Sequence, residues 1–352
     1  MAISERPHLG WNLVHDSGEP RPHPSARTDV VMTVLSVWFT LGLFLDAYAH
    51  ANFPNLETFF TPWHAVFYSG FAATAGWVLW TVWQQVRQGR RGLAAVPVGY
   101  GLTVLALPAF AVSGVADLTW HTLLGIETDT DIFFSPSHLG LIVSMVVILT
   151  SPLRSAWTRP APTRTAVLTL AFATSLVLLF LTYGNALLFG ANAVVRLFSE
   201  SGRGDDGAGA LAVHLMLTTV VLLAPLLLLA RRWFLPVGAA TAVFTFAALI
   251  SGTLTGFRNN DIALAVVASG VLVDVLARVL APTGARRGAF WAFAFATPLI
   301  TWAVYLGVAS AVVGRLPAVT EFWTGAPIVA GLVGLLLGVL MLPNAQSPAA
   351  SG

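Results

Sequence analysis

Between residues 28 and 342 the chain alternates long apolar runs with short polar gaps. A helix rising 1.5 Å per residue needs roughly 20 apolar residues to cross a hydrocarbon core of about 30 Å. Runs of that order fall near 28–51, 62–86, 96–123, 136–153, 164–190, 209–230, 234–257, 260–280, 288–313 and 323–342. The pattern predicts an all-α fold, a polytopic transmembrane helical bundle of about ten spans built from helical-hairpin repeats. Asn185 and Asn192 interrupt the fifth run, and Asn259 stands before the eighth. The organisation expected is an N-terminal tail over 1–27, a duplicated hairpin unit over 28–153, further spans over 154–343 acting as scaffold, and a C-terminal tail over 344–352.

Composition strengthens the membrane reading. The 352 residues are 56% hydrophobic and only 10% charged, outside the range of soluble domains. All 18 basic residues are arginine, set against 16 acids, so no basic face for nucleic acid is expected. The partner implied is the lipid bilayer, with membrane partner subunits as a further expectation. Cysteine is absent, which removes disulfides, thiolate ligands and cysteine nucleophiles. The first 27 residues carry no apolar core of signal-peptide type and are expected to stay uncleaved.

Arginines gather in alternate gaps, among them Arg87, Arg90, Arg91, Arg154, Arg159, Arg231, Arg232, Arg286 and Arg287. The other gaps hold acids, including Glu57, Glu127, Asp129, Asp131, Glu200 and Asp205. Because cytoplasmic loops retain positive charge, both termini are expected inside. Asp274, near an inner end, reads as solvated or paired with Arg278 one turn on. Gly331, Gly334 and Gly338 put small residues on one face of the last span, a helix-packing signature.

The candidate chemistry is concentrated in two stretches, LDAYAHANFPNLETFFTPWHAVF from Leu45 and ADLTWHTLLGIETDTDIFFSPSHLGLI from Ala116. Asp46 and Asp117 are 71 residues apart, as are His50 and His121; Pro62 and Pro136, like His64 and His138, are 74 apart. Each stretch is the outer turn of one hairpin, and the second has gained three loop residues. Residues four apart share a helix face, so Asp46 projects with His50 and Asp117 with His121. Thr61 and Ser135 read as N-caps, Pro62 and Pro136 as first helical residues, and His64 and His138 as third. Near a helix N-terminus an imidazole is kept neutral, the form that binds metals.

Each hairpin thereby offers one carboxylate and two imidazoles at one depth. Without thiolate or thioether donors the set suits Cu(II), Zn(II) or Fe(II). Glu57, Asp129, Asp131, Trp63 and Trp120 are candidates for the surroundings or entrance of the site, and His214 for a further ligand. The competing structural reading is a hydrogen-bonded pair that fixes each hairpin. Against it stands the cost of ionisable groups in a membrane, roughly 2.5–3.5 kcal/mol each at the centre and less near the edge.

An Asp-x3-His pair on one membrane helix, followed about a dozen residues later by another His, resembles the copper-binding motif in the membrane-embedded copper subunit of particulate methane and ammonia monooxygenases. The resemblance covers three residues per copy. It implies copper, favoured over zinc or iron, with Asp46, His50, His64, Asp117, His121 and His138 as ligands. The phrases FTPWHAVFYSGF and FSPSHLGL are similar to multi-pass bacterial membrane proteins without assigned function, which implies a bacterial plasma membrane.

Two functional classes follow. One is a metal-dependent oxidoreductase acting on a lipophilic or small apolar substrate, the six ligands forming one dinuclear or two mononuclear centres. The other is a metal-ion or proton-coupled transporter, which needs polar groups deeper in the bundle. Between the motif and the inner loops the first four spans are expected to offer mainly hydroxyls such as Thr33, Ser36, Thr40, Thr74, Thr103 and Ser144, and no ionisable group. A non-catalytic subunit of a membrane complex would fit the small-residue faces.

Overall fold

The structure, a computed structural model, describes residues 16–53, 60–125, 131–200 and 206–342. These form helices, with no strand among the described residues. Among the described residues, eight helical segments are long and apolar enough to cross a membrane. Arg164–Phe180 and Ala239–Leu254 are shorter apolar helices in the places of the fifth and seventh runs. The chain divides into two compact units, 1–173 and 174–352.

The first unit is built on α1 (Ala26–Asn52), α2 (Pro62–Arg87), α3 (Gly101–Leu124), α4 (Pro136–Leu149) and the short α5 (Ser151–Ala156). Ser25 caps α1 by accepting the Thr28 amide, and Thr61 caps α2 by accepting the His64 amide at 3.1 Å, with Pro62 at the first turn. Ser135 precedes α4 without capping it through its side chain; its hydroxyl bonds that of Ser137 instead, at 2.8 Å. The fourth run is broken at Thr150, where α4 gives way to α5.

The first hairpin is antiparallel and very close. A Cβ placed on Gly42 would stand 2.8 Å from the Phe67 Cα, and one on Gly70 would stand 2.7 Å from the Phe39 Cα. Two glycines thus let the backbones of α1 and α2 touch at reciprocal positions, the small-residue packing that apolar solvent favours. In the second hairpin Gly140 of α4 receives the Ser113 side chain of α3, leaving no room for a Cβ.

The opposite end of this unit is tied by a buried carboxylate of α1, so the first four spans do hold an ionisable group below the motif, contrary to the expectation from sequence. Asp29, 2% exposed, accepts from the Tyr100 hydroxyl at 2.9 Å and the Ser155 hydroxyl at 3.0 Å, with Arg159 Nη2 at 3.4 Å. Burial, reinforced by the Asp29 charge, pushes the Tyr100 phenol up, so it remains a donor. Arg154 donates beside it to the Gly99 and Val147 carbonyls and to Thr103 Oγ1. Such full satisfaction is what a buried polar network requires.

The second unit takes in the end of α6 (Arg164–Phe180), then α7 (Ala191–Leu197), α8 (Asp206–Arg232), α9 (Ala239–Leu254), α10 (Asn260–Leu280), α11 (Arg287–Val313) and α12 (Thr320–Met341). The fifth run is not one helix: after Phe180 the chain makes two 3-10 turns, Thr182–Gly184 and Ala186–Leu188. The freed backbone groups find side-chain partners, as they must away from water. Thr218 donates to the Gly184 carbonyl and accepts the Ala186 amide, Tyr305 donates to the Ala186 carbonyl, and Asn185 bonds Ser251.

Asp274 is neither solvated nor paired with Arg278. Its carboxylate accepts the amides of Ala240 and Thr241, both at 3.0 Å, and the Thr241 hydroxyl at 2.6 Å. It therefore caps the N-terminus of α9 from a neighbouring helix, where the helix dipole favours a negative charge. The glycine face of α12 packs as its spacing implies: Gly331 lies on Phe295, and Gly334 and Gly338 on Ala294.

Candidate metal centre

The helix ends that carry the two motifs bring their side chains into two separate groups. In the first, His64 Nε2 lies 3.4 Å and His50 Nε2 4.0 Å from the same oxygen, Oδ1 of Asp46. In the second, His138 Nε2 lies 3.1 Å and His121 Nε2 3.5 Å from Oδ1 of Asp117. One ligand atom from each of the three residues lies within 4.8 Å of the others in either group. The imidazoles stand at similar separations, 5.5 Å between ring centroids for His50 and His64 and 5.6 Å for His121 and His138.

Local sequence explains the convergence. The i, i+4 spacing lays each aspartate and first histidine along one helix face. The Thr-Pro and Ser-Pro starts set the second histidine in the first turn of the returning helix. The Gly42 and Gly70 contacts draw the two helices of the first hairpin together one turn below Asp46. The approach leaves Asp46 Oδ1 buried and accepting no hydrogen bond among the described residues. A buried carboxylate oxygen facing two imidazole nitrogens is an arrangement that could hold a cation.

The groups are neighbours but not copies. Asp46 lies within electrostatic reach of Asp117 and His121, and His50 within reach of His138, His121 and Asp117. The side chains of Asp117 and His121 are 3% exposed, whereas those of His50 and His138 are 20% and 19% exposed. Each group thus has one histidine open to the outside, the first residue of the pair in one case and the last in the other. Ser137 donates to Asp117 Oδ1 at 3.1 Å; Asp46 Oδ1 has no such partner among the described residues.

Beneath both groups lies a floor of aromatic rings. Phe39 stacks on Phe67 at 5.4 Å and meets Phe110 edge-on at 5.3 Å, while Phe71 stacks on Phe110 at 4.2 Å. Tyr68 closes the floor against Phe67 and Phe110, at 5.1 and 6.2 Å. Its ring crosses to the other hairpin over Gly114, where an added Cβ would come 3.0 Å from Cε1. Its hydroxyl is buried beside Gly114, within electrostatic reach of the Asp117 and Asp46 carboxylates.

Of the flanking candidates, Trp63 and Trp120 are half-buried, in the first turn of α2 and near the C-terminal end of α3, and Trp63 lies against Phe53 at 6.0 Å. Glu57 and Asp129 lie outside the described residues, as does the side chain of Asp131. His214 belongs to the second unit and to neither group. Its Nδ1 lies 2.7 Å from the Ala210 carbonyl of its own helix, and its ring meets Phe189 edge-on. Tyr68 and Ser137 were not singled out from sequence. Tyr68 follows His64 by four residues, the spacing that puts both on one face, and that signal could have found it.

Comparison of the chain with protein-family models, with curated proteins and with solved structures gives no match in any of the three.

Proposed function

We propose that this protein is a multi-pass membrane metalloprotein with two adjacent Asp/His/His centres at the outward end of its first unit, and that the metal is copper. The observation that carries the reading is the paired convergence, two imidazole Nε2 atoms on one carboxylate oxygen in each hairpin. The donor set is all nitrogen and oxygen, which suits Cu(II) over Cu(I). The likeness of the motif to the copper subunit of particulate methane and ammonia monooxygenases favours copper over zinc or iron. Asp46, His50 and His64 hold one ion and Asp117, His121 and His138 the other.

Bound copper would supply redox chemistry on a lipophilic or small apolar substrate arriving from the outer leaflet of a bacterial plasma membrane. The protein's own part is to hold the ligands, to present His50 and His138 to the outside, and to bar water from below with the aromatic floor. That floor also weighs for a fixed centre over a transport path, because a conducted ion needs polar partners beyond the site. The test is electron paramagnetic resonance of the detergent-purified protein loaded with Cu(II). Nitrogen superhyperfine structure from two imidazoles per ion, absent from a His50→Ala, His121→Ala variant, supports the reading; a spectrum unchanged by that variant contradicts it.

A further inference from the structure

The two centres share ligand type and spacing, yet one residue between them has no counterpart. Tyr68 stands four residues after His64; the 74-residue offset that relates His64 to His138 relates Tyr68 to Ile142. Tyr68 therefore breaks the correspondence. It belongs to the first hairpin, crosses over Gly114 and brings its buried hydroxyl within reach of the carboxylate of the second. Its ring is held from both sides, by His64 at 6.2 Å and by Phe67 and Phe110.

Building on the metal reading above, we propose that Tyr68 is a positioning residue for the Asp117 centre, a second-hairpin site whose carboxylate is oriented by a hydroxyl from the first hairpin. With Ser137 on Oδ1 and Tyr68 within reach of the same carboxylate, Asp117 is held with Oδ1 toward His121 and His138. Groups that hydrogen-bond a ligating carboxylate fix its orientation, and losing one costs about 10–100-fold in metal affinity. Asp46 Oδ1 accepts no hydrogen bond among the described residues, and Tyr68 reaches Asp46 only electrostatically, so the first centre is expected not to depend on its hydroxyl bond. The Asp117 centre is then complete only when the two hairpins are docked, and the two ions occupy inequivalent sites.

The experiment isolates each centre in the full-length protein. Asp117→Ala, His138→Ala leaves the first centre, and Asp46→Ala, His50→Ala leaves the second. Tyr68→Phe, which keeps the ring on Gly114, is then added to each, and Cu(II) affinity is measured against a competing chelator alongside the paramagnetic spectrum. The expected result is a loss of about tenfold or more, with an altered copper hyperfine splitting, at the second centre only. Gly114→Ala, which crowds the ring from the other hairpin, is expected to reproduce that loss. Unchanged binding at the second centre, or an equal loss at both, overturns the proposal while leaving the metal reading intact. Failure of both isolated centres to bind copper with Tyr68 present overturns the metal reading and this proposal with it.

Discussion

Phe39 and Phe110, both fully buried, meet edge-on with ring centroids 5.3 Å apart. They are 71 residues apart in sequence, the separation that relates Asp46 to Asp117 and His50 to His121. The two hairpins therefore touch at corresponding positions just below their carboxylates. That contact makes neighbours of two groups that each hairpin assembles by itself.

Truncating the shared floor should loosen both centres. Phe110→Ala removes a ring packed on Phe39, Phe67 and Phe71, and large core truncations of this kind cost roughly 3–5 kcal/mol. A lowered melting temperature, followed by tryptophan fluorescence, is expected together with reduced copper content. A variant with unchanged stability would show that the floor does not bind the hairpins.

The glycine contact predicts a selective defect. Gly42→Leu cannot be accommodated without parting α1 from α2, because even a Cβ falls 2.8 Å from the Phe67 backbone. The first centre should lose its ion while the second, built from α3 and α4, keeps it, giving one copper per chain. Full occupancy of both would refute the link between close packing and ligand convergence.

The Asp29 tie is structural. Asp29→Ala leaves the buried Tyr100 and Ser155 hydroxyls without their acceptor, at a cost of about 1–3 kcal/mol for each group left unsatisfied. Thermal stability should fall while copper content per folded chain stays at the wild-type value. Loss of copper without loss of stability would mean that Asp29 serves the metal sites.

His214 lies in the second unit and in neither group. His214→Ala should leave copper stoichiometry and spectrum untouched, since its ring bonds within its own helix. A changed spectrum would make it a ligand.

Much of this was legible in the chain. Run length and polarity located the long helices because lipid imposes one requirement, an apolar surface over a fixed thickness. The convergence of the candidate groups was legible because a local spacing and a local start signal fix it: Asp46 and His50 by i, i+4, His64 by Thr61 and Pro62. What escaped depends on contacts between distant segments. The break after Phe180 is stabilised by Thr218, Ser251 and Tyr305, none adjacent to it in sequence. Asp274 was read against Arg278 on its own helix, whereas its partners are amides at the start of another. Tyr68 was not singled out, because what marks it is the contact of its ring with Gly114 on the other hairpin.

The central claim is that two Asp/His/His groups hold metal. Metal content by plasma mass spectrometry of the detergent-purified protein, before and after reconstitution with Cu(II), tests it most directly. Two copper ions per chain in the wild type, one in His50→Ala or His121→Ala, and none in the double variant are predicted. No stoichiometric metal after reconstitution, or equal content in the wild type and a folded double variant, would contradict it.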